Sequence, residues 1–210
     1  MSIKRSLSGR ELEVLTVNEA MRVMLEGLEE DTFKTIDMVS GQMLEECKDI
    51  DGWLDIIENM DAIVPGDVKL LDKTGILDRK LNKEASGRLF IKMFLRYMNK
   101  NRKKVFVISR EEDVLVSTMK RLKTYGSGMK VDGMSFNELT GRSEDEIINE
   151  INAMDADCIL SVLPSPFQEK FLSEKKAYIN GRIWLGCGCI ITEENPGPKR
   201  KRLLEFLKKL

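Results

Sequence analysis

Apolar positions along the chain follow two rhythms. Short runs that are apolar throughout, such as Lys104 to Ile108 (KVFVI) and Cys158 to Leu163 (CILSVL), read as strands covered on both faces. Between them lie stretches with helical spacing. Ala20, Val23, Met24 and Leu28 follow the capping box Thr16-Val17-Asn18-Glu19. Leu89, Phe90, Met93, Phe94 and Tyr97 share one face of a helix over residues 86–101. Val114, Leu115, Met119 and Leu122 do the same over 111–125. A second capping box, Ser143-Glu144-Asp145-Glu146, opens a helix to about Met154.

Shorter elements fill the gaps. Strands are expected at Phe33 to Met38, Ala62 to Val64 and Ile183 to Cys189, and helices at 40–47, 53–58 and 167–175. Strands that alternate with helices and are apolar throughout predict an α/β fold: a Rossmann-like layered domain with a mainly parallel sheet flanked by helices. Residues 1–195 read as one such domain, and 196–210 as a basic amphipathic C-terminal helix.

In sheets of this kind ligands bind beyond the carboxyl ends of the strands. The loops after Val64, Ile108 and Leu163 are therefore the candidates. The third is the stiff turn Leu163-Pro164-Ser165-Pro166, which sets Gln168 and Glu169 on the first turn of a helix, where free N–H groups suit an anion. A capping turn with exposed Gln and Glu is the structural alternative.

Composition narrows the chemistry. The 210 residues are 42% hydrophobic and 33% charged, enough apolar content for a core. A net charge of −1 lacks the electrostatic footprint of a nucleic-acid binder, so no nucleic-acid partner is expected. Histidine is absent, which leaves acid–base work to Asp, Glu, Lys, Tyr or Cys. The four cysteines are expected as reduced thiols in a cytoplasmic compartment. Cys187-Gly188-Cys189 reads as strand packing rather than a metal or redox pair, with both thiols on one face. The basic cluster at 99–104 reads as cations facing a helix C-terminus. Neither a signal peptide nor a run of about 20 apolar residues is expected.

Several pieces, in order, carry a resemblance. They are Leu15-Thr16-Val17-Asn18-Glu19-Ala20 (L-T-x-x-E-A), Met60-Asp61-Ala62-Ile63-Val64-Pro65 (A-D, three apolar residues, P) and the central strand Lys104 to Ile108. Asp132-Gly133 with Phe136 (D-G-x-F), Ile151-Asn152 through Asp157 (I-N-x-x-x-A-D), Ser165-Pro166-Phe167-Gln168-Glu169 (S-P-K-Q-E) and Gly186-Cys187-Gly188 (G-V-G) follow. Together they resemble the WecG/TagA/CpsF glycosyltransferases.

That resemblance implies an inverting, metal-independent transferase without a cofactor. It moves a sugar of the N-acetylmannosamine kind from a UDP donor to a polyprenyl-diphosphate-linked acceptor in cell-envelope or exopolysaccharide assembly. It implies Asp67 as the base. Thr35, Asp37, Arg110, Pro166, Gln168, Glu169, Gly186 and Gly188 fall to the donor, and Lys199, Arg200 and Arg202 to diphosphate or lipid at the inner face of the cell membrane.

The chain also departs from the pattern. Pro65-Gly66-Asp67 stands for P-D-G, a slip of one residue or about 3.8 Å. Thr35-Ile36-Asp37 replaces T-x-N, Ser109-Arg110 replaces a glycine pair, Glu84 meets the family's Arg, and the late acid is lost. These changes keep a second reading open: a catalytically silent relative that binds a nucleotide-sugar or a protein partner without turnover.

Overall fold

The computed structural model describes residues 3–7, 10–136, 141 and 143–191. Lys199, Arg200, Arg202 and the expected helix at 196–210 lie outside the described residues. In chain order the strands are β1 (Ile3–Leu7), β2 (Arg10–Val14), β3 (Lys34–Val39), β4 (Ala62–Pro65), β5 (Lys104–Ser109), β6 (Lys130–Ser135), β7 (Cys158–Ser161) and β8 (Ile183–Gly186). The helices are α1 (Val17–Glu30), α2 (Gly41–Cys47), α3 (Trp53–Glu58), α4 (Val68–Thr74), α5 (Arg79–Ser86), α6 (Leu89–Lys100), α7 (Glu112–Lys123), α8 (Glu144–Met154) and α9 (Phe167–Lys175).

The described strands form one sheet in the order β1-β2-β4-β3-β8-β7-β5-β6. β1 pairs with β2 antiparallel, and every other pairing is parallel. This is the α/β architecture the sequence predicts. The chain runs outward from β3 to β4, crosses to β5 and β6, and returns through β7 and β8 to close the gap beside β3. The middle of the sheet is thus the place where the strand order reverses.

Pleating divides the side chains between two faces. Ile36, Met38, Val105, Val107, Leu160 and Leu185 pack under Val17, Ala20 and Met24 of α1, Phe90 and Phe94 of α6, and Leu115 of α7. On the other face, Phe106, Ile108, Ile159 and Trp184 meet α8 and α9 through Ile147, Ile151, Phe171 and Leu172. Beside them Val39 and Ile63 meet α2 and α3 through Leu44, Trp53 and Ile57. Thr35 and Asp37 belong to this second face by alternation with Ile36 and Met38.

Both capping boxes form. Thr16 donates to Glu19 Oε2 from its N–H at 3.0 Å and its hydroxyl at 2.7 Å. Glu146 N–H donates to Ser143 Oγ at 3.2 Å, and Ser143 N–H to Glu146 Oε2 at 2.8 Å.

Three expectations need correction. β8 stops at Gly186, and Gly188–Ile191 winds into a 3-10 turn, so Cys187-Gly188-Cys189 is not a strand. Residues 86–101 are not one helix, because α5 ends and α6 begins across Gly87-Arg88. The cluster at 99–104 does more than face a helix end. Lys103 Nζ lies 3.1 Å from Asp157 Oδ1 and Lys104 Nζ 3.0 Å from Asp155 Oδ2, which ties β5 to the start of β7. Among the described residues no helix is long and apolar enough to cross a membrane.

Candidate active site

The parallel strands place their carboxyl ends on one rim, and a cleft of ≈ 540 Å³ opens there. Ser40 lines it after β3, Ser109 and Arg110 after β5, Pro164 and Ser165 after β7, and Cys187 and Gly188 after β8. The loops after Ile108 and Leu163 are where the sequence places them. The loop after Val64 is not part of this lining. Val64 and Pro65 instead face a much smaller space beside α5, shared with Glu84 and Arg88.

Under the cleft, on the α3 and α9 side of the sheet, lies a buried polar group. Gln168 Nε2 donates to Asp37 Oδ1 and to Glu169 Oε1, each at 3.2 Å. Ser165 Oγ donates to Glu169 Oε1 at 2.7 Å. Gln168 is 1% exposed, and Asp37 and Glu169 are fully buried. Gly186 makes room for them. A Cβ there would sit 2.5 Å from Gln168 Nε2 and 2.6 Å from Asp37 Oδ1, so only glycine lets the amide and the carboxylate rest on the strand.

Two carboxyls without a cation set the electrostatics of this group. Among the described residues no ion pair reaches Asp37 or Glu169. Burial, and then the charge of Glu169, push Asp37 well above the usual carboxylate range. Burial raises Glu169 too, while the Ser165 hydroxyl, its own backbone N–H and the Gln168 amide hold it back. Asp37 Oδ2, Gln168 Oε1 and Glu169 Oε2 are buried without a hydrogen-bond partner. The Trp53 indole N–H approaches Glu169 from α3 without reaching hydrogen-bond geometry. Cys47 of α2 faces the same charge; burial, then Glu169, lift its thiol to about 11.

Asp67 has a structural task. It is the N-cap of α4, and its Oδ1 accepts from Leu70 N–H and from Gly41 N–H, each at 2.9 Å. One carboxylate oxygen thus fixes the starts of α2 and α4 together, next to Ser40 on the cleft wall. Thr35 lies toward the other rim. Its N–H and hydroxyl both donate to Asp61 Oδ2, at 2.8 and 2.7 Å. It borders a separate hollow of ≈ 310 Å³ between α3 and α9.

The β5–α7 turn supplies its own anions. Ser109 Oγ donates to Glu111 O at 2.9 Å and accepts from Glu111 N–H at 3.2 Å. Glu112 and Asp113 occupy the first turn of α7, Asp113 Oδ1 accepts from Val114 N–H at 2.9 Å, and the Glu112 carboxylate accepts from the Ser135 hydroxyl. Any anion meets repulsion at that helix start. Arg110 is the cation on this wall, its guanidinium 4.6 Å from the centre of the Phe167 ring. At α9 the expected free N–H groups are partly used, since Gln168 N–H donates to Pro164 O at 3.0 Å.

The structure therefore gathers the predicted residues into separate sets. Asp37, Gln168, Glu169 and Gly186 meet in one buried group, tied to the cleft through Ser165. Arg110 and Gly188 line the cleft, and Pro166 caps α9 beside Ser165. Asp67 belongs to neither set but bonds Gly41, between Ser40 and Gln42 of the cleft wall, whereas Thr35 borders the separate hollow. Trp53, Ser40 and Ser109 join the site without having been predicted. The turn chemistry of Ser40 and Ser109 ahead of helices was a readable signal, whereas nothing in the sequence linked Trp53 to Glu169.

Comparison with known proteins fits this picture. The model of the glycosyl transferase WecG/TagA/CpsF family matches residues 5–193. A Bacillus subtilis (strain 168) protein, N-acetylglucosaminyldiphosphoundecaprenol N-acetyl-beta-D-mannosaminyltransferase, is 21% identical over 136 residues. That stretch is 65% of this chain and 52% of the relative, so the match spans about half the relative's length. The family match runs from β1 through the last described turn and includes the cleft and its buried floor; the chain belongs to the glycosyl transferase WecG/TagA/CpsF family.

Proposed function

We propose that this chain is a glycosyltransferase of cell-envelope assembly. It moves an N-acetylmannosamine-like sugar from a UDP donor to a polyprenyl-diphosphate-linked acceptor, with inversion and without a metal, at the cytoplasmic face of the membrane. One observation carries the reading: in a chain matched by the family model over residues 5–193, a cleft of ≈ 540 Å³ lies at the carboxyl rim where the strand order reverses, with Arg110 on its wall.

In this reading the acceptor hydroxyl gives its proton to Asp67 through Oδ2, the carboxylate oxygen that does not cap α4. The hydroxyl oxygen attacks the anomeric carbon, and the bond from that carbon to the donor phosphate breaks. UDP leaves with the electron pair. Arg110 meets the charge that builds on the diphosphate, and Lys199, Arg200 and Arg202 add to it. Asp37, Gln168 and Glu169 act from below, as the floor that holds the Pro164 to Pro166 turn and Gly186 in place. The direct test is UDP release from UDP-N-acetylmannosamine in the presence of a lipid-diphosphate acceptor.

A second reading, binding of a nucleotide-sugar without turnover, is favoured by one observation. Asp67 Oδ1 is committed to two backbone N–H groups, and Gly66 follows Pro65 where the family pattern has an acid. Calorimetric titration with UDP separates the two, because tight binding with no UDP release supports the silent form.

A further inference from the structure

Charge is unevenly spread along this chain. Residues 66–103, the crossover from β4 to β5, carry 11 Lys and Arg against 4 Asp and Glu, while the whole chain carries 34 against 35. The first part of that crossover is a helical hairpin. α4 ends at Gly75, whose φ of 67° lies in the left-handed region that favours glycine. Gly75 N–H donates to Asp72 O at 3.3 Å and Ile76 N–H to Leu71 O at 2.9 Å, the closing bonds of a helix C-terminus. Asp78 then caps α5, accepting from Leu81 N–H at 2.8 Å.

This turn sorts its two apolar residues in opposite directions. Ile76 is 2% exposed and packs with Val14, Leu71, Leu81 and Ala85. Leu77 is 96% exposed, the most exposed large apolar side chain among the described residues. Its outward position is fixed by hydrogen bonds on both sides, so it is not a loose end. Lys73, Arg79 and Lys80, within four residues of it in sequence, are exposed, as are Lys69 and Lys83 further along the two helices. Lys73 leans on Glu45 at 2.6 Å and Lys80 is 4.0 Å from Glu84, yet cations still dominate the hairpin. Of the two acids between residues 69 and 83, Asp72 is exposed and Asp78 is half-buried and engaged in its cap.

An exposed apolar tip on a hairpin with five exposed cations matches an anionic bilayer, with the leucine in the headgroup–acyl boundary and the cations among lipid phosphates. We infer that the α4–α5 hairpin is a membrane-docking surface for anionic lipid, with Leu77 as the inserted residue. The inference concerns binding alone and does not depend on turnover.

The test is co-sedimentation of the full chain with vesicles of phosphatidylglycerol and phosphatidylcholine, against phosphatidylcholine alone, with no donor present. Leu77→Asp, and separately the pair Arg79→Glu and Lys83→Glu, are expected to lower partition to the anionic vesicles about tenfold or more with an unchanged melting temperature. Both tryptophans of the chain are buried, so Leu77→Trp adds a reporter whose emission shifts to the blue only with anionic vesicles. Unchanged partition in the variants, which would leave the C-terminal segment carrying the contact, overturns the inference. So does an unshifted Leu77→Trp emission, or a wild-type dimer that Leu77→Asp dissolves. Failure of the transferase reading would show as absent UDP release and would leave this binding result unaltered.

Discussion

The Gln168 amide nitrogen lies 3.2 Å from Asp37 Oδ1, joining helix α9 to strand β3 through two residues 131 apart in sequence. The same nitrogen reaches Glu169, so one NH₂ group serves two buried carboxyls. Gln168→Leu keeps the volume and removes that donor. Each carboxyl then loses a partner it cannot replace, at a cost of about 1–3 kcal/mol. Urea unfolding measures it, and the cost should be non-additive with Asp37→Asn.

Asp37 makes stability fall as pH rises. Burial and then Glu169 raise its pKa in the folded state. The folded chain therefore binds more protons than the unfolded chain above the ordinary Asp value. The stabilisation is complete below that value and is lost as pH climbs through the raised one. Asp37→Asn is expected to flatten this slope and to raise the melting temperature at neutral pH. The rise should be about 2–4 °C for each kcal/mol recovered. Thermal melts of both proteins across acid to alkaline pH check the sign.

Asp67 separates capping from catalysis. Asp67→Ala removes the acceptor for two backbone N–H groups and is expected to cost about 2–3 kcal/mol. Asp67→Asn keeps an oxygen for both and should stay within about 1 kcal/mol of wild type. As a base, however, the amide is useless. The transfer reading expects Asp67→Asn to fold normally and to lose UDP release.

Gly186→Ala tests the floor. Its added methyl would lie 2.5 Å from Gln168 Nε2 and 2.6 Å from Asp37 Oδ1. Overpacking of this kind costs about 1–3 kcal/mol. The expected readout is a lower melting temperature together with weaker UDP binding, because the displaced amide carries the Pro164 to Pro166 turn with it.

Much of the fold was legible because the central strands are buried on both faces. β5 and β7 must be apolar throughout, and a run such as CIL or VFVI announces that directly. Edge strands leave a weaker mark. β6 reads Lys-Val-Asp-Gly-Met-Ser and β1 pairs only with β2, so neither shows an uninterrupted apolar run and neither was predicted. The site was legible in part. Turn residues before α7 and α9 marked two cleft walls. The inward turn of Gln168 was not, since a Gln on a first helical turn reads as exposed. Its burial depends on α3 packing against α9 and on a glycine at the facing position of β8, relations that exist only in three dimensions.

The most direct measurement is UDP release by the full chain, given UDP-N-acetylmannosamine and a polyprenyl-diphosphate-linked N-acetylglucosamine acceptor, alongside UDP titration of wild type and Arg110→Ala. The account predicts repeated turnover by wild type, none by Asp67→Asn, and UDP affinity about tenfold weaker in Arg110→Ala. Wild-type protein that neither binds UDP nor releases it, or Asp67→Asn that turns over as fast as wild type, would contradict it.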